Sequence, residues 1–248
     1  MDGLLFDTER VFNDAWKSVA QSRCKLLPPK MLDELRGTNG KLMKNIIEKY
    51  WADEDVETII QELFLISRQK LAVDVPIKKG AVEIIKYLKA NNIKIAIASS
   101  SPQNLIESNL RVSGLYDYFD VIVSGEQVQN GKPSPDIFLL AAKKIGSNIK
   151  NCIVIEDGIN GVFAGINSGC NTYMVPDLVA PTKEILEKNI PIFKSLFEVK
   201  TYIELANKVS YLSMSSEGEI SEIDLCLKDK DVNALKQIVD FAKQFAGM

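Results

Sequence analysis

Four places in this chain carry side chains that could do chemistry together: Asp2-Gly3 at its start, the hydroxyl run Ser99 to Ser101, Gly131-Lys132 in a polar turn, and the adjacent acids Glu156-Asp157. A phosphoryl group in flight spreads its charge over its equatorial oxygens, and proteins meet that charge by positioning, positive charge and hydrogen-bond donors. Ser99 and the backbone N–H groups that follow it at a helix start can hold phosphate oxygens, and Lys132 can neutralise them. Asp157, with Glu156 beside it, offers hard oxygen ligands to magnesium, which keeps several waters and takes only one or two carboxylates. Taken singly, each stretch is an ordinary turn or helix entry, so the inference rests on their being brought together. The chain has no histidine, which excludes Ser-His-Asp and Cys-His nucleophile systems, the usual zinc sites and imidazole acid/base chemistry.

The elements that must position these residues follow from the periodicity. From Phe12 to Ala72 the segments "VFNDAWKSVAQ", "KLMKNIIEKYW" and "VETIIQELFLISRQKLAV" space apolar residues three and four apart, as helices do, with the loop Arg36 to Lys41 between them. After "VPIKKG" the pattern alternates: amphipathic segments are followed in turn by the short apolar runs "IKIAIASSS", "FDVIVSG", "NCIVIEDG" and "NTYMVPD". That alternation predicts an α/β fold, a doubly wound parallel sheet covered on both faces. Ligands of such a sheet sit outside the carboxyl ends of its strands, where Ser99 to Ser101, Lys132, Glu156 and Asp157 are expected to lie. Ile192 to Asn207 reads as one more short strand and helix. Beyond it, "SMSSEGEIS" reads as a linker, and "DVNALKQIVDFAKQFAG" as an amphipathic helix capped by Asp231 and stopped at Gly247.

The whole chain of 248 residues, 46% hydrophobic and 25% charged with a net charge of -3, has the composition of a globular protein of about two structural units. Nothing in it forms the basic stripe that a nucleic-acid partner requires. Cys24, Cys152, Cys170 and Cys226 stand singly, as reduced and largely buried thiols do. No charged-then-apolar leader or membrane-length apolar run is visible, so the expected place is the cytoplasm, away from membranes, and the expected partner a small molecule.

Taken in order, "DGLLFDTE", "IAIASSS", "GKPSPDIF" and "VIEDGINGVFAGINSG" resemble the four motifs of the haloacid dehalogenase superfamily, in its phosphatase and β-phosphoglucomutase-like branch. The resemblance runs from Met1 to about Asn207. It implies a Rossmann-like core (1–8 and 80–207), a helical cap inserted after the first motif (9–79), and a linker with a C-terminal helix over 208–248. It also implies that the substrate is a small phosphorylated metabolite, a sugar phosphate or a relative, and that the cofactor is Mg2+. Asp2 matches the second aspartate of Asp-x-Asp-Gly, which in the family is the general acid/base and gives its backbone carbonyl to magnesium. Ser99 with Ser100, and Lys132, match the phosphate-holding positions, and Asp157 with Glu156 the metal-binding ones. Thr8, Glu9 and, in the loop Arg36 to Lys41, Arg36, Asn39 and Lys41 are the candidate contacts to the leaving group.

The family's nucleophile is the first aspartate of that motif, and its place falls one residue ahead of Met1, with the strand leading to it. The chain as written is therefore expected to be inactive. A start assigned at an internal methionine is favoured over a trimmed chain or a natural pseudoenzyme that binds a phosphate ligand or a protein partner, because Met1 would fill the middle of an Asp-Met-Asp-Gly motif. A phosphosugar mutase is the rival enzyme, but mutases of this type use a cap histidine. A receiver-like domain would present its acidic pair first, and a dinucleotide binder would show Gly-x-Gly-x-x-Gly after an early strand. Neither pattern is present.

Overall fold

The computed structural model describes residues 1–36, 38 and 40–214, with side chains as far as 206. The chain first makes a tight turn from Met1 to Phe6, in which Leu5 N–H donates to the Met1 carbonyl at 2.8 Å and Gly3 N–H to the Phe6 carbonyl at 2.9 Å. Four helices follow: α1 (Thr8–Ser22), α2 (Pro29–Leu35), α3 (Gly40–Tyr50) and α4 (Val56–Leu71). Their apolar faces meet in a core of their own, built around Trp16, Val19, Met31, Ile47, Ile59 and Leu63. Asp55 caps α4 by accepting from Thr58 N–H at 3.1 Å, and Arg68 and Lys70 occupy its last turn, where cations suit the carbonyl end. Helix α2, with Pro29 at its first position, ends just ahead of the expected loop, and the start of α3 at Gly40 shortens that loop, so Lys41 lies within a helix.

The chain returns to the first turn through a narrow neck, where Asp7 N–H donates to the Pro76 carbonyl and Lys78 N–H to the Leu5 carbonyl, both at 2.8 Å. Beyond it the alternation of the sequence becomes α5 (Ala81–Ala90), β1 (Ala96–Ser99), α6 (Gln103–Val112), β2 (Val121–Ser124), α7 (Asp136–Ile145), β3 (Ile153–Glu156), α8 (Ile159–Asn167) and β4 (Asn171–Met174). The strands are parallel, as expected, and pair as β1 with β2 (Ala96 opposite Val121) and β3 with β4 (Ile153 opposite Asn171). Among the described residues no ladder joins the two pairs. Side chains join them instead. On one face Ile97, Ile153 and Ile155 gather with Met1, Leu5 and Phe6; on the other Val123 and Val154 pack with Ile137 and Phe138 of α7.

The expected strand after Ile192 is a single bridge to Met174, in which Met174 N–H donates to the Pro191 carbonyl at 2.9 Å and Phe193 N–H to the Met174 carbonyl at 2.8 Å. After the short α9 (Lys183–Glu187), α10 (Leu196–Met214) packs on α5 and runs past residue 207 into the stretch expected to be linker. The amphipathic segment from Asp231 to Gly247, and Cys226, lie outside the described residues. Cys152 and Cys170 are at least partly buried free thiols, and burial pushes Cys170 up to about 12. Cys24, in contrast, is exposed, in a turn with φ 52° after α1. No helix among the described residues is long and apolar enough to cross a membrane.

Helix α8 lies close on β3 and β4 because glycines face them. A Cβ at Gly165 would stand 2.6 Å from Thr172 Oγ1 and 3.1 Å from Val154 Cγ1. In an exposed helix, Gly→Ala stabilises by about 1 kcal/mol. Here Gly165→Ala is expected to destabilise by about 1–3 kcal/mol, because the buried neighbours must move. Urea denaturation of the two proteins measures this, and an unchanged or higher midpoint for the variant contradicts the packing.

Candidate active site

The first turn sets one wall of the site. Gly3 has φ +75°, a left-handed conformation that glycine adopts at no steric cost. It is also crowded: a Cβ there would sit 2.2 Å from Asp157 Oδ2 and 3.2 Å from Asp177 Oδ2. A side chain at this position would displace the acids, so the glycine after Asp2 is required twice over. Asp2 Oδ2 accepts a hydrogen bond from Ser101 Oγ at 2.9 Å, which links the first turn to the hydroxyl run after β1. That run is itself anchored, since Ser99 Oγ accepts from Ser101 N–H at 3.2 Å and Ser124 Oγ, at the end of β2, donates to the Ser101 carbonyl at 2.8 Å. Ser99 is buried and Ser100 exposed, with Gly125 so close behind that a Cβ would lie 3.0 Å from the Ser100 carbonyl oxygen.

Lys132 and Glu156 form the second cluster. The Lys132 Nζ donates to the Ala98 carbonyl of β1 at 3.3 Å and is ion-paired with Glu156 at the end of β3. Both side chains are nearly buried, 12% and 8% exposed, so the pair bridges the two strand pairs out of water. Glu156 lies against α8, where a Cβ at Gly161 would meet its carboxylate carbon at 2.3 Å. The two neighbours in sequence therefore face different partners, Glu156 toward Lys132 and Asp157 toward the first turn.

Asp157 shares its surroundings with other acids. Burial pushes its carboxyl up to about 6, with Glu156 and Asp177 acting in the same direction and the Met1 α-ammonium opposing them. Asp177 is ion-paired with Lys78 of the neck. Burial likewise raises Glu9, against the lowering effect of Arg36, and Asp177 and Asp7 add to the rise. No three acidic, histidine or cysteine side chains among the described residues converge as a ready metal cage. The donor set fits magnesium nonetheless: the Asp157 carboxyl, raised first by burial and then by the acids beside it, is what a divalent cation relieves, and magnesium needs only one or two carboxylates.

A cleft of about 360 Å³ lies between the helical unit and the α/β unit. Asp2, Gly3, Asp157, Asp177 and Leu178 line it from the α/β side, and Thr8, Glu9, Phe12, Asn13, Trp16, Leu32, Leu35, Thr38, Met43 and Phe64 from the helices. Of the residues singled out in the sequence, Asp2, Asp157, Thr8 and Glu9 meet in this cleft. Ser99, Lys132 and Glu156 stand behind it, connected through Ser101 and the Ala98 carbonyl. Arg36 turns to Asp33 at 3.0 Å, Lys41 is exposed and outside the lining, and Asn39 lies outside the described residues. Asp177 was not singled out, although it directly follows the apolar run of β4 and so obeys the same strand-end rule that marked the others. Lys78 carried no signal, because its role depends on the neck folding back onto the first turn.

The haloacid dehalogenase-like hydrolase family matches over residues 1–175, and a domain of unknown function matches over 140–235. Among curated relatives, a phosphorylated carbohydrates phosphatase of Thermotoga maritima is 30% identical over 68% of this chain and 79% of its own length. A probable pseudouridine-5'-phosphatase of Drosophila melanogaster is 32% identical over 71% of this chain and 79% of its own. The crystal structure of a Thermotoga maritima protein assigned as a beta-phosphoglucomutase superimposes with a TM-score of 0.73 and 28% identity, over 82% of this chain and 95% of that one. With its parallel α/β core, its inserted helices and its cleft between them, the chain belongs to the haloacid dehalogenase-like hydrolases, in their phosphatase and β-phosphoglucomutase-like branch.

Proposed function

We propose that this hydrolase is a magnesium-dependent phosphatase that cleaves a small phosphorylated metabolite, of the sugar phosphate kind its relatives act on, through an aspartyl-phosphate. The observation that carries the reading is the meeting of Asp2, hydrogen-bonded to Ser101, with Asp157 in the lining of one cleft. Asp2 is the group that moves the proton: it protonates the leaving oxygen and then takes a proton from water, and its bond from the Ser101 hydroxyl orients it. Ser99, Ser100 with its neighbouring N–H groups, and Lys132 hold the phosphoryl oxygens. Asp157, Glu156 and the Asp2 carbonyl are the magnesium ligands or their support, and the bound ion supplies positive charge for the phosphoryl oxygens. Thr8 and Glu9 touch the leaving group, and Arg36, Asn39 and Lys41 belong to the rim. The helical unit, taken as a cap over 9–79, chooses the substrate.

A mutase is the second reading, favoured by the likeness to the beta-phosphoglucomutase-assigned structure. The absence of histidine favours hydrolysis over it. A phosphate-binding pseudoenzyme is the third, and an absence of turnover in the form that carries the nucleophile would establish it over hydrolysis.

The nucleophile's place lies immediately ahead of Met1, whose α-ammonium stands near Asp157. The polypeptide of residues 1–248 is accordingly expected to show no turnover of sugar phosphates with magnesium, and one carrying an apolar strand ending in aspartate ahead of Met1 to show it. In the active form, Asp157→Ala is expected to abolish hydrolysis and Asp2→Asn to lower kcat by about 10²–10⁴. Full activity of Asp157→Ala refutes the metal assignment, and robust turnover by residues 1–248 refutes the register of Asp2.

The raised carboxyl of Asp157 also sets a pH dependence. Its folded value, about 6, lies above the ordinary 3.8, so stability is lost as pH rises between them, by about 3 kcal/mol in full. Magnesium should recover that loss only where Asp157 is ionised, raising Tm at pH 7.5 and hardly at pH 5. Asp157→Asn should raise the metal-free Tm at pH 7.5 by up to roughly 5–10 °C and remove the magnesium response. Thermal melts at the two pH values check both, and a magnesium shift equal at both pH values contradicts the assignment.

A further inference from the structure

Cys152 and Cys170 are separated in sequence by the whole of α8, yet the fold brings them to one place. Ile153 lies opposite Asn171 in the parallel pairing of β3 with β4, so the residues one step earlier, Cys152 and Cys170, face each other where the two strands begin. Neighbouring strands run about 4.8 Å apart, within the span of roughly 4.4–6.8 Å between the α-carbons of bridged cysteines. The side chains share a face as well: Cys170 is buried with Val123, Val154 and Ala164, and Cys152 packs partly buried against the same group. The Cys170 thiol already reaches over to the other strand, donating to the Cys152 carbonyl at 2.8 Å. The Cys152 thiol donates to the Asn148 carbonyl at 3.3 Å, in the turn ahead of β3. The two are unequal, since Cys152 is half-buried and Cys170 only 8% exposed. Burial holds Cys170 above the ordinary thiol range, and the nearby Cys152 thiol adds to the rise. An oxidant therefore meets Cys152 first, while Cys170 stays protonated beside it.

We propose that Cys152 and Cys170 are a redox-reactive pair, which a small hydroperoxide converts into an intramolecular disulfide between the starts of β3 and β4. In the first step the Cys152 sulfur takes one peroxide oxygen as the O–O bond breaks, giving Cys152 sulfenic acid and an alcohol or water. In the second the Cys170 sulfur attacks it: the S–S bond forms, the S–O bond breaks, and the hydroxyl leaves as water with the Cys170 proton. The two thiols lose two electrons to the peroxide, and a dithiol reductant returns them. The ring so closed runs from Cys152 through β3 and α8 to Cys170, and it contains Glu156, Asp157, Gly161 and Gly165. Glu156 lies four residues along the strand from Cys152, about 13 Å away. The bridge therefore braces the unit that carries the acids from its far end without entering the cleft, and it stabilises by constraining the unfolded chain.

No lysine or arginine lies between Asn151 and Thr182, so trypsin releases both cysteines in one peptide, 151–183. The 248-residue chain is treated with hydrogen peroxide at a dose that oxidises the exposed Cys24, quenched with acid, alkylated in denaturant and digested. Peptide 151–183 is expected to emerge without alkyl groups and two hydrogens lighter than its reduced form, and to take two alkyl groups after dithiothreitol. Cys170→Ser should instead carry a sulfenic acid on Cys152, which dimedone traps, and Cys152→Ser should leave Cys170 free to alkylate. Peroxide should raise the Tm of the unsubstituted chain by about 3 °C or more, and either substitution should remove that rise. Two alkyl groups on peptide 151–183 after peroxide overturn the inference, as does Cys152 joined to Cys24, to Cys226 or to a second chain. A bridge mapped to Cys152 and Cys170 that leaves Tm unchanged overturns its bracing role.

Discussion

Lys132 holds the site together from behind. Its amine reaches the Ala98 carbonyl at the end of one strand pair and the Glu156 carboxylate at the end of the other. A buried ammonium is costly unless it is paired and hydrogen-bonded, and a buried pair that loses one partner typically costs about 3–5 kcal/mol. The geometry of both strand ends is therefore fixed by the need to satisfy one charge. Because Glu156 is committed to Lys132 and pressed against Gly161, its neighbour Asp157 is turned the other way, into the cleft. The alternation of side chains along a strand turns a structural ion pair on one side into an available carboxylate on the other.

The opposite wall is built by exclusion of a side chain. Gly3 leaves room for Asp157 Oδ2 and Asp177 Oδ2, and those two acids, with Asp2 and Glu9, gather more negative charge than a phosphate could approach unaided. Lys78 answers part of it by pairing with Asp177, and it does so from the neck that joins the two units. The same short stretch thus carries the two backbone hydrogen bonds that fix where the helices enter and leave, and one of the charges that balances the site. Position of the helical unit and electrostatics of the cleft are coupled through residues 76–78.

Much of this was legible in the residues because it depends on local pattern. The helical spacing of "VETIIQELFLISRQKL" and the short apolar runs ending at Ser99 and Glu156 appear where periodicity placed them. Helix α2 was missed because it is a seven-residue helix, starting at Pro29, too short to show a period. The run at Ile192 is only a bridge because Pro191 offers a carbonyl but no N–H to a ladder. At the site, strand-end position marked Asp157 and Ser99, but no local rule reports which way a side chain turns. That Glu156 faces Lys132, that Ser101 and not Ser99 touches Asp2, and that Asp177 crowds Gly3 are consequences of packing between elements distant in sequence.

The two cores explain how such a chain separates chemistry from selection. The helices pack around Trp16, Met31 and Ile59 without help from the α/β unit, whose own core gathers Phe6, Ile97 and Val199. Each is large enough to specify its own packing, and the neck needs only to hold their relative position. Substitutions on the cleft face of α1, α2 or α4 can then change what the cleft accepts while leaving Asp2, Ser101 and Asp157 in register. The reverse does not hold: Gly3 and Lys132 each meet groups from more than one element and Gly161 is pressed against Glu156, so a change in any of them moves the carboxylates themselves. The acidic wall of the cleft is constrained by steric crowding and charge, and the helical wall chiefly by packing. Divergence among proteins of this architecture should therefore concentrate at Phe12, Leu32 and Phe64, where packing tolerates exchange of one apolar side chain for another.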